Sequence, residues 1–437
     1  MSDEEKQAAS QSRMETEPPQ ELSGPDFINN LNNKCLARIF QYLPIADKLR
    51  INTVCKRWKE VSPLAWANVE ELDFFKDEGE PSDYDQLPKE YMTVQWLKVI
   101  LKRCGPYLKE LHLDDSELMP IVGKYCVNLT VLDIWDADPD DWDWSGLFPQ
   151  MENFSLGYSK KGGEFFTEKI LRTLPAQSLT YFRLRAFFNE PQNDVSDMFG
   201  IPIDNRPVTR ANLGCFSPAA VKLFDNFINL EIINISNCIL NSDMMNAINQ
   251  KTHLKYLALP DCSANPGLLS ANVLTNLETL ILDFVHQVND SFLVQLSDCA
   301  QNLKTLSINR CGVTDKAVRQ LSKLPQLEVL NVSGIMYLTD EPLGGLKNLK
   351  KLDCDFGFTI GDKGLITLIR NAPNLELLKV SFTSTTKMLV MEANEITKQR
   401  TNGVTLKIIG EEDLREDWNE NNDSPFLIVE DTPDCLN

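Results

Sequence analysis

Basic residues are scarce in this chain: 43 Lys and Arg stand against 63 Asp and Glu, a formal net charge of −20 over 437 residues. Duplex nucleic acid and anionic membranes both reward clustered Lys and Arg, so neither is expected as a ligand. Histidine is scarcer still, with three residues at His112, His253 and His286, far apart in the chain. There is no glycine-rich phosphate loop and no Cys-x-x-Cys pair; the closest cysteines, Cys299 and Cys311, are twelve apart. No metal, no cofactor and no catalytic centre of its own are therefore expected. No run of ~18 apolar residues offers a membrane span. The opening MSDEEKQAASQSRMETEPP lacks the basic and apolar regions of a secretory leader, so the expected location is cytoplasm, nucleus or both. There the eleven Cys stay reduced, and the Asn-x-Ser sequences at Asn153 and Asn234 are chance matches.

What is present is a globular composition, 43% hydrophobic and 24% charged, with a repeat running through it. The pattern LxxLxL, with conservative replacements, starts at Leu108, Leu129, Met151, Leu179, Leu230, Leu254, Leu277, Leu303, Leu327, Leu349 and Leu375, with a weaker copy at Val69. Most spacings lie between 21 and 28 residues, the period of leucine-rich repeats. Eight residues after the first Leu comes a small position, filled by Cys238, Cys262 and Cys311, and Cys104, Cys126 and Cys299 recur just before the next strand. Cysteines in fixed repeat slots read as small packing residues rather than nucleophiles. Asp243, Asp290, Asp315, Asp340 and Asp362 follow at a second fixed offset, each before a helical apolar pattern, and are expected to cap those helices. Each repeat thus predicts strand, turn, capped helix and return. Two intervals break the period; the insertions near 76–90 and 186–215 are read either as binding loops or as degenerate repeats.

Ahead of the repeats, residues 28–66 carry helical apolar spacing at Leu36, Ile39, Phe40 and Leu43, then Pro44 as a stop and Asp47 as a new start. The following helix is expected to carry Leu49, Ile51, Val54, Cys55 and Trp58, with Lys56 and Arg57 as a solvated or partner-facing flank. So few short helices cannot bury their own apolar faces, which marks a binding module. The segment resembles an F-box: Leu31, IFQYLP at Ile39 to Pro44, VCKRW at Val54 to Trp58 and a further Trp66 match that family's pattern, although Asn32-Asn33-Lys34 replaces its usual Pro-Asp-Glu.

With the repeats, the layout is similar to the F-box/leucine-rich-repeat substrate receptors of SCF ubiquitin ligases. The resemblance implies an α/β chain in which a helical F-box precedes a solenoid with parallel strands on its concave face and helices on its convex face. It implies a non-catalytic adaptor whose F-box binds the linker subunit and, through it, the cullin and RING subunits, while the repeats hold a protein substrate for ubiquitination and degradation. A non-degradative scaffold is the alternative. The expected domains are an acidic, disordered 1–25, an F-box over 26–66, repeats over 67–410 and an acidic tail over 411–437.

Leu31, Leu36, Ile39, Leu43, Pro44, Val54 and Trp58 are the expected linker contacts, because buried aliphatic and aromatic anchors carry interface energy. Residues between inward Leu positions point the opposite way along a strand, so Asp114, Asp133, Trp135, Tyr181, Arg183, Arg185, Asn234, Tyr256, Asn309 and Asn331 are expected on the concave face. Trp142 and Trp144, among carboxylates, read either as a grip for a basic segment or as cover for the core. In the tail, PFLIV is expected to anchor a return along the concave face, and Ser424-Pro425 is a candidate phosphorylation site.

Overall fold

The computed structural model describes residues 27–75, 82–136, 148–159, 165–166, 168–187, 214–412, 414 and 423–432. The chain divides into two units, residues 1–68 and 69–437. Trp142, Trp144 and most of the 186–215 insertion lie outside the described residues.

The first unit is built from short helices. In α1 (Asn33–Gln41), Asn32 caps the N-terminus, its side chain accepting from the Cys35 N–H at 2.9 Å. Pro44 separates α1 from α2 (Ile45–Arg50). The one helix expected over Leu49 to Trp58 is instead three pieces: α2, a 3₁₀ turn at Ile51–Thr53, and α3 (Lys56–Val61). Cys55 is extended between them, and its Sγ accepts from the Trp58 N–H at 3.4 Å, so this thiol caps a helix rather than sharing an apolar face. Leu36, Phe40, Leu49, Ile51 and Val61 are buried, and the Trp58 ring meets Phe40 edge-on at 4.8 Å.

The second unit is organised by a fourteen-stranded sheet whose strands run parallel in chain order. They are β1 (Glu71–Phe74), β2 (Glu110–Asp115), β3 (Val131–Asp136), β4 (Asn153–Ser159), β5 (Tyr181–Phe187), β6 (Ile232–Ser236), β7 (Tyr256–Ala258), β8 (Thr279–Ile281), β9 (Thr305–Ser307), β10 (Val329–Asn331), β11 (Lys351–Asp353), β12 (Leu377–Lys379), β13 (Leu406–Gly410) and β14 (Leu427–Asp431). The inward position stays in register from Leu72 through Leu111, Leu132, Phe154, Phe182, Ile233 and Leu257 to Leu280, Leu306, Leu330, Leu352 and Leu378, and all of these are buried. β13 and β14 go beyond the repeats expected from LxxLxL. The PFLIV stretch therefore continues the sheet at its end instead of returning along its face.

Loop chemistry ties each repeat to the next. The expected Asp helix caps differ in detail: Asn241 and Asn289 cap the helices Ser242–Asn249 and Asp290–Cys299, and the neighbouring Asp residues sit inside the first turn. The Asp carboxylates instead reach one repeat onward. Asp290 accepts from Thr314 N–H and Oγ1 at 2.9 and 2.7 Å, Asp315 from Thr339 at 2.8 and 2.6 Å, and Asp362 from Thr386 at 2.8 and 2.6 Å. A second ladder uses an Asn ahead of the strand: Asn276, Asn302 and Asn348, each just before a repeat's first Leu, and Asn402, before Gly403, donate to the carbonyls of Thr252, Thr275, Pro325 and Pro373 in the repeat before.

The repeat cysteines pack as expected. Cys104, Cys126, Cys238, Cys262 and Cys311 are buried, and their Sγ atoms lie among backbone: Cys262 donates to Ile235 O and Cys311 to Leu282 O, both at 3.2 Å. Burial pushes the Cys126, Cys262 and Cys311 thiols up to about 12, so they hold no thiolate at neutral pH.

Two predictions follow from this framework. Brief iodoacetamide treatment of the native chain, mapped by mass spectrometry, should label the exposed Cys35 and Cys55 and spare Cys126, Cys262 and Cys311 until denaturant is added. Asp315→Ala should cost about 1–3 kcal/mol through loss of both bonds to Thr339, read as a lower Tm and faster amide exchange from Thr339 onward. Asp315→Asn, which keeps one acceptor, should fall between.

Candidate functional site

Two surfaces carry the residues singled out by sequence, one on each unit. On the helical unit, Ile39 and Val54 stand 48% and 59% exposed, and Tyr42, not expected as a contact, is exposed beside them in sequence. Pro44 is exposed, while Leu31, Leu43 and Trp58 are half-buried. Leu36 differs from expectation: it is buried with Phe40, its i+4 partner, and belongs to the core. Arg57, read as a solvated or partner-facing flank, is engaged within the unit rather than left to solvent. Its Nε donates to Asn33 Oδ1 at 2.9 Å, its Nη1 to Asn29 O at 2.8 Å, and its Nη2 to Leu31 O. The guanidinium thereby fastens α3 to the segment entering α1, and the hydrophobic pattern gave no hint of it. Lys48 is buried, with its ammonium donating to Asn68 Oδ1 at 3.3 Å.

On the second unit, one face of the sheet brings much of the expected set together. Arg185 on β5 lies over the Trp135 ring of β3, 5.3 Å from its centroid. The intervening strand β4 places Gly157 opposite Arg185, so no side chain stands between the guanidinium and the indole. Trp135 in turn meets Phe75 edge-on at 5.8 Å, and Phe75 meets His112 at 5.5 Å. Asp133, Tyr181 and Arg183 complete the centre. Tyr181 is hydrogen-bonded with Arg183, and burial raises its pKa. Burial lowers the Arg185 pKa, and neighbouring Arg183 lowers it further against the pull of Asp133 and Asp261.

Asn234 sits opposite Arg183, and Tyr256, its pKa raised by burial, interacts with Tyr181 and Arg183. Asp114 is half-buried on β2, two residues beyond His112. Asn309 adjoins this cluster through its backbone N–H, which donates to Asp283 Oδ1, whereas Asn331 Oδ1 accepts from the Ser333 N–H, each at 2.9 Å. Sequence reasoning missed Phe75, Asp261 and Asp283, which lie just past the ends of β1, β7 and β8. Asp261 has its pKa raised by burial and by Asp283.

A second unexpected row lies where the chain leaves each strand. Asn237, Asp261, Phe284, Arg310, Gly334, Phe356 and Phe382 all have φ between 54° and 65°. A left-handed backbone strains a bulky residue by about 1–3 kcal/mol, and here successive amides continue the ladder past the strands: Phe284 N–H donates to Asn309 O at 2.9 Å and Phe356 N–H to Ser381 O at 2.8 Å. Arg310 lies over Phe284 at 5.2 Å, and Phe356 stacks on Phe382 at 4.7 Å. At Gly334 a Cβ would come within 2.6 Å of Arg310 Cγ, so glycine leaves room for that arginine. Asn237, Asp261 and Gly334 are residue types that suit a left-handed turn, whereas Phe284, Arg310, Phe356 and Phe382 leave no such trace in the sequence.

Among the described residues, Glu71, Glu110 and His112 place one ligand atom each within 4.8 Å of one another. The His112 ring accounts for this grouping by hydrogen-bonding Glu110 Oε1 at 3.1 Å.

Residues 30–70 match the family model described as F-box-like. Over 388 residues the chain is 24% identical to a Caenorhabditis elegans protein named "Putative RNA-binding protein EEED8.10", covering 81% of this chain and 50% of that one. The chain thus spans about half the length of this curated relative. A chain of the yeast Rad7 and Elc1 complex superposes with a TM-score of 0.51 at 14% identity, covering 91% of this chain and 92% of that one. An internalin from Listeria monocytogenes gives a TM-score of 0.44 at 14% identity, covering 81% of this chain and 94% of that one. The chain thus joins an F-box-like segment to a long array of stacked parallel strands in leucine register, the layout of a leucine-rich-repeat-like solenoid.

Proposed function

We propose that this protein is the substrate receptor of an SCF-type ubiquitin ligase. The single observation that carries the reading is the pairing of an F-box-like unit that leaves Ile39, Tyr42 and Val54 exposed with a long sheet whose open face carries the Trp135–Arg185 cluster. Large apolar side chains left in water on so small a unit suit a permanent partner, here the linker subunit, and through it the cullin and RING subunits.

The receptor contributes no bond-making group. It holds a protein substrate so that its lysines meet a charged conjugating enzyme at high effective concentration. Trp135, Arg183, Arg185, Tyr181 and Tyr256, set among Asp133, Asp261 and Asp283, suit a polypeptide segment of mixed charge: the carboxylates attract its basic groups, the guanidiniums its acidic ones, and the aromatic faces its apolar stems. The name of the nematode relative attributes RNA binding to that protein. A net charge of −20 and carboxylates interleaved with the arginines do not suit a polyanion here.

Ile39→Asp with Val54→Asp should reduce recovery of the linker and cullin from cells at least tenfold while leaving the helical circular dichroism unchanged, because both side chains are exposed. Recovery at the wild-type level defeats the ligase reading. Trp135→Ala with Arg185→Ala should keep the linker and lose substrate. Proximity labelling compared between this variant and the Ile39/Val54 variant should reveal proteins marked only when the sheet face is intact, and their abundance should rise when the receptor is depleted. Marked partners that stay constant would identify a non-degradative scaffold.

A further inference from the structure

The last strand of the sheet, β14, is held at both ends by hydroxyls that precede a proline. Ser424 is followed by Pro425 just before the strand, and Thr432 by Pro433 just after it. Ser424 is 5% exposed, with its Oγ 2.8 Å from the buried Thr397 Oγ1. Thr397 directs its own proton to Ala393 O at 2.7 Å, so Ser424 is the donor of the bond between the two hydroxyls. The Ser424 N–H donates to Asn394 Oδ1 at 3.1 Å. At the other end, Thr432 Oγ1 donates to Gly410 O at 3.0 Å and meets Ser381 Oγ at 2.6 Å. The hydroxyl proton therefore makes the fastening bond at each end. Between them, Leu427 and Val429 are buried and Ile428 is exposed.

We propose that Ser424 and Thr432 are a paired phosphorylation site for a proline-directed protein kinase, and that phosphorylation detaches β14 from β13 and opens the end of the repeat array. In each transfer the hydroxyl oxygen bonds to the γ-phosphorus of ATP, the bond from that phosphorus to the β,γ-bridging oxygen breaks, ADP leaves and the hydroxyl proton passes to solvent. Among the described residues β14 has a neighbour on one side only, and terminal strands open at lower free energy than central ones, so the hydroxyls become available in the opened state.

The closed state cannot take the product back. A phosphate brings about −1.5 to −2 charges and three acceptor oxygens in place of the donor each pocket uses. Ser424 adjoins Asp423, and the nearby cation, Lys398, is already engaged by Asp423 at 2.5 Å and Glu395 at 2.6 Å. Thr432 meets a Ser381 whose N–H is taken by Asp355 Oδ1 at 2.6 Å, and the adjacent Phe382 N–H is taken by Glu411 at 3.1 Å. Asp355 already shows how poorly this end accommodates anions: burial and Asp353 push its pKa up to about 6. Both ends oppose a dianion by charge, and the buried setting of Ser424 opposes it by size as well, while Thr432 is half-buried.

The test uses the full chain, treated with ATP and a proline-directed kinase that phosphorylates a synthetic peptide of residues 420–437. Mass spectrometry locates the phosphates, and hydrogen exchange reads Leu406–Gly410 and Leu427–Asp431. Phosphate on Ser424 and Thr432, with at least tenfold faster exchange in both strands and reversal by phosphatase, is the expected result. The Ser424→Ala/Thr432→Ala chain, treated in the same way, should show no kinase-dependent change in exchange at these strands. Unchanged exchange in the doubly phosphorylated chain overturns the proposal. So does failure of the folded chain to take phosphate at these positions, or failure of every proline-directed kinase tried on the peptide.

Discussion

A single turn of this array has two apolar edges and can cover neither, so every strand depends on the one before it keeping its inward side chain in line. The unbroken register from Leu72 to Leu378 is the constraint from which the rest of the second unit follows. Stability in such a stack is close to a sum of neighbour terms, and each repeat interface must be specified locally. The Asp290–Thr314, Asp315–Thr339 and Asp362–Thr386 pairs specify it on the loop side, and the Asn ladder specifies it where the chain enters each strand.

Charge adds a further specification. At the residue before eight of the strands, signs pair across neighbouring repeats: Glu70 with Lys109, Glu231 with Lys255, Glu278 with Lys304 and Glu328 with Lys350, at 2.7 to 2.9 Å. Each exposed pair stabilises by only about 0–1 kcal/mol. Their value lies in discrimination, because a strand paired one repeat out of place would set like charges side by side. The fold can thus combine a large acidic excess with a regular surface of matched charges.

The strands, the buried cysteines and the helical start were legible because each leaves a periodic or positional trace. Leu at fixed offsets needs no partner to be recognised. Arg57 left no such trace: its role depends on backbone carbonyls at Asn29 and Leu31 that only the folded turn brings within reach. Leu36 misled for a related reason, since spacing identifies the apolar stripe of α1 but not which part of it the unit keeps for its own core. The strand-face cluster was half legible. Alternation placed Trp135 and Arg185 on one face, whereas their contact depends on Gly157, whose importance lies in the side chain it lacks. β13 and β14 escaped because their strands, LKIIG and LIVED, keep the inward Leu-x-Ile or Leu-x-Val pair without the preceding Leu of LxxLxL.

The two ends of a stacked array face opposite demands. An interior strand is fixed by two neighbours, but a terminal one must satisfy its outer edge without inviting another chain to pair with it. β14 meets this demand with Glu430 and Asp431 beside the buried Leu427 and Val429, and with Lys407 of β13 paired to Glu430 at 2.6 Å. Charges at the edge discourage a further strand, while the hydroxyls of Ser424 and Thr432 fasten the strand where leucine stacking runs out. Hydrogen bonds are suited to that place because they are directional and individually modest, about 0.5–1.5 kcal/mol net. A strand held by apolar burial along its length and by two hydroxyls at its ends can be firm in the resting state and still be released by chemistry at those two atoms.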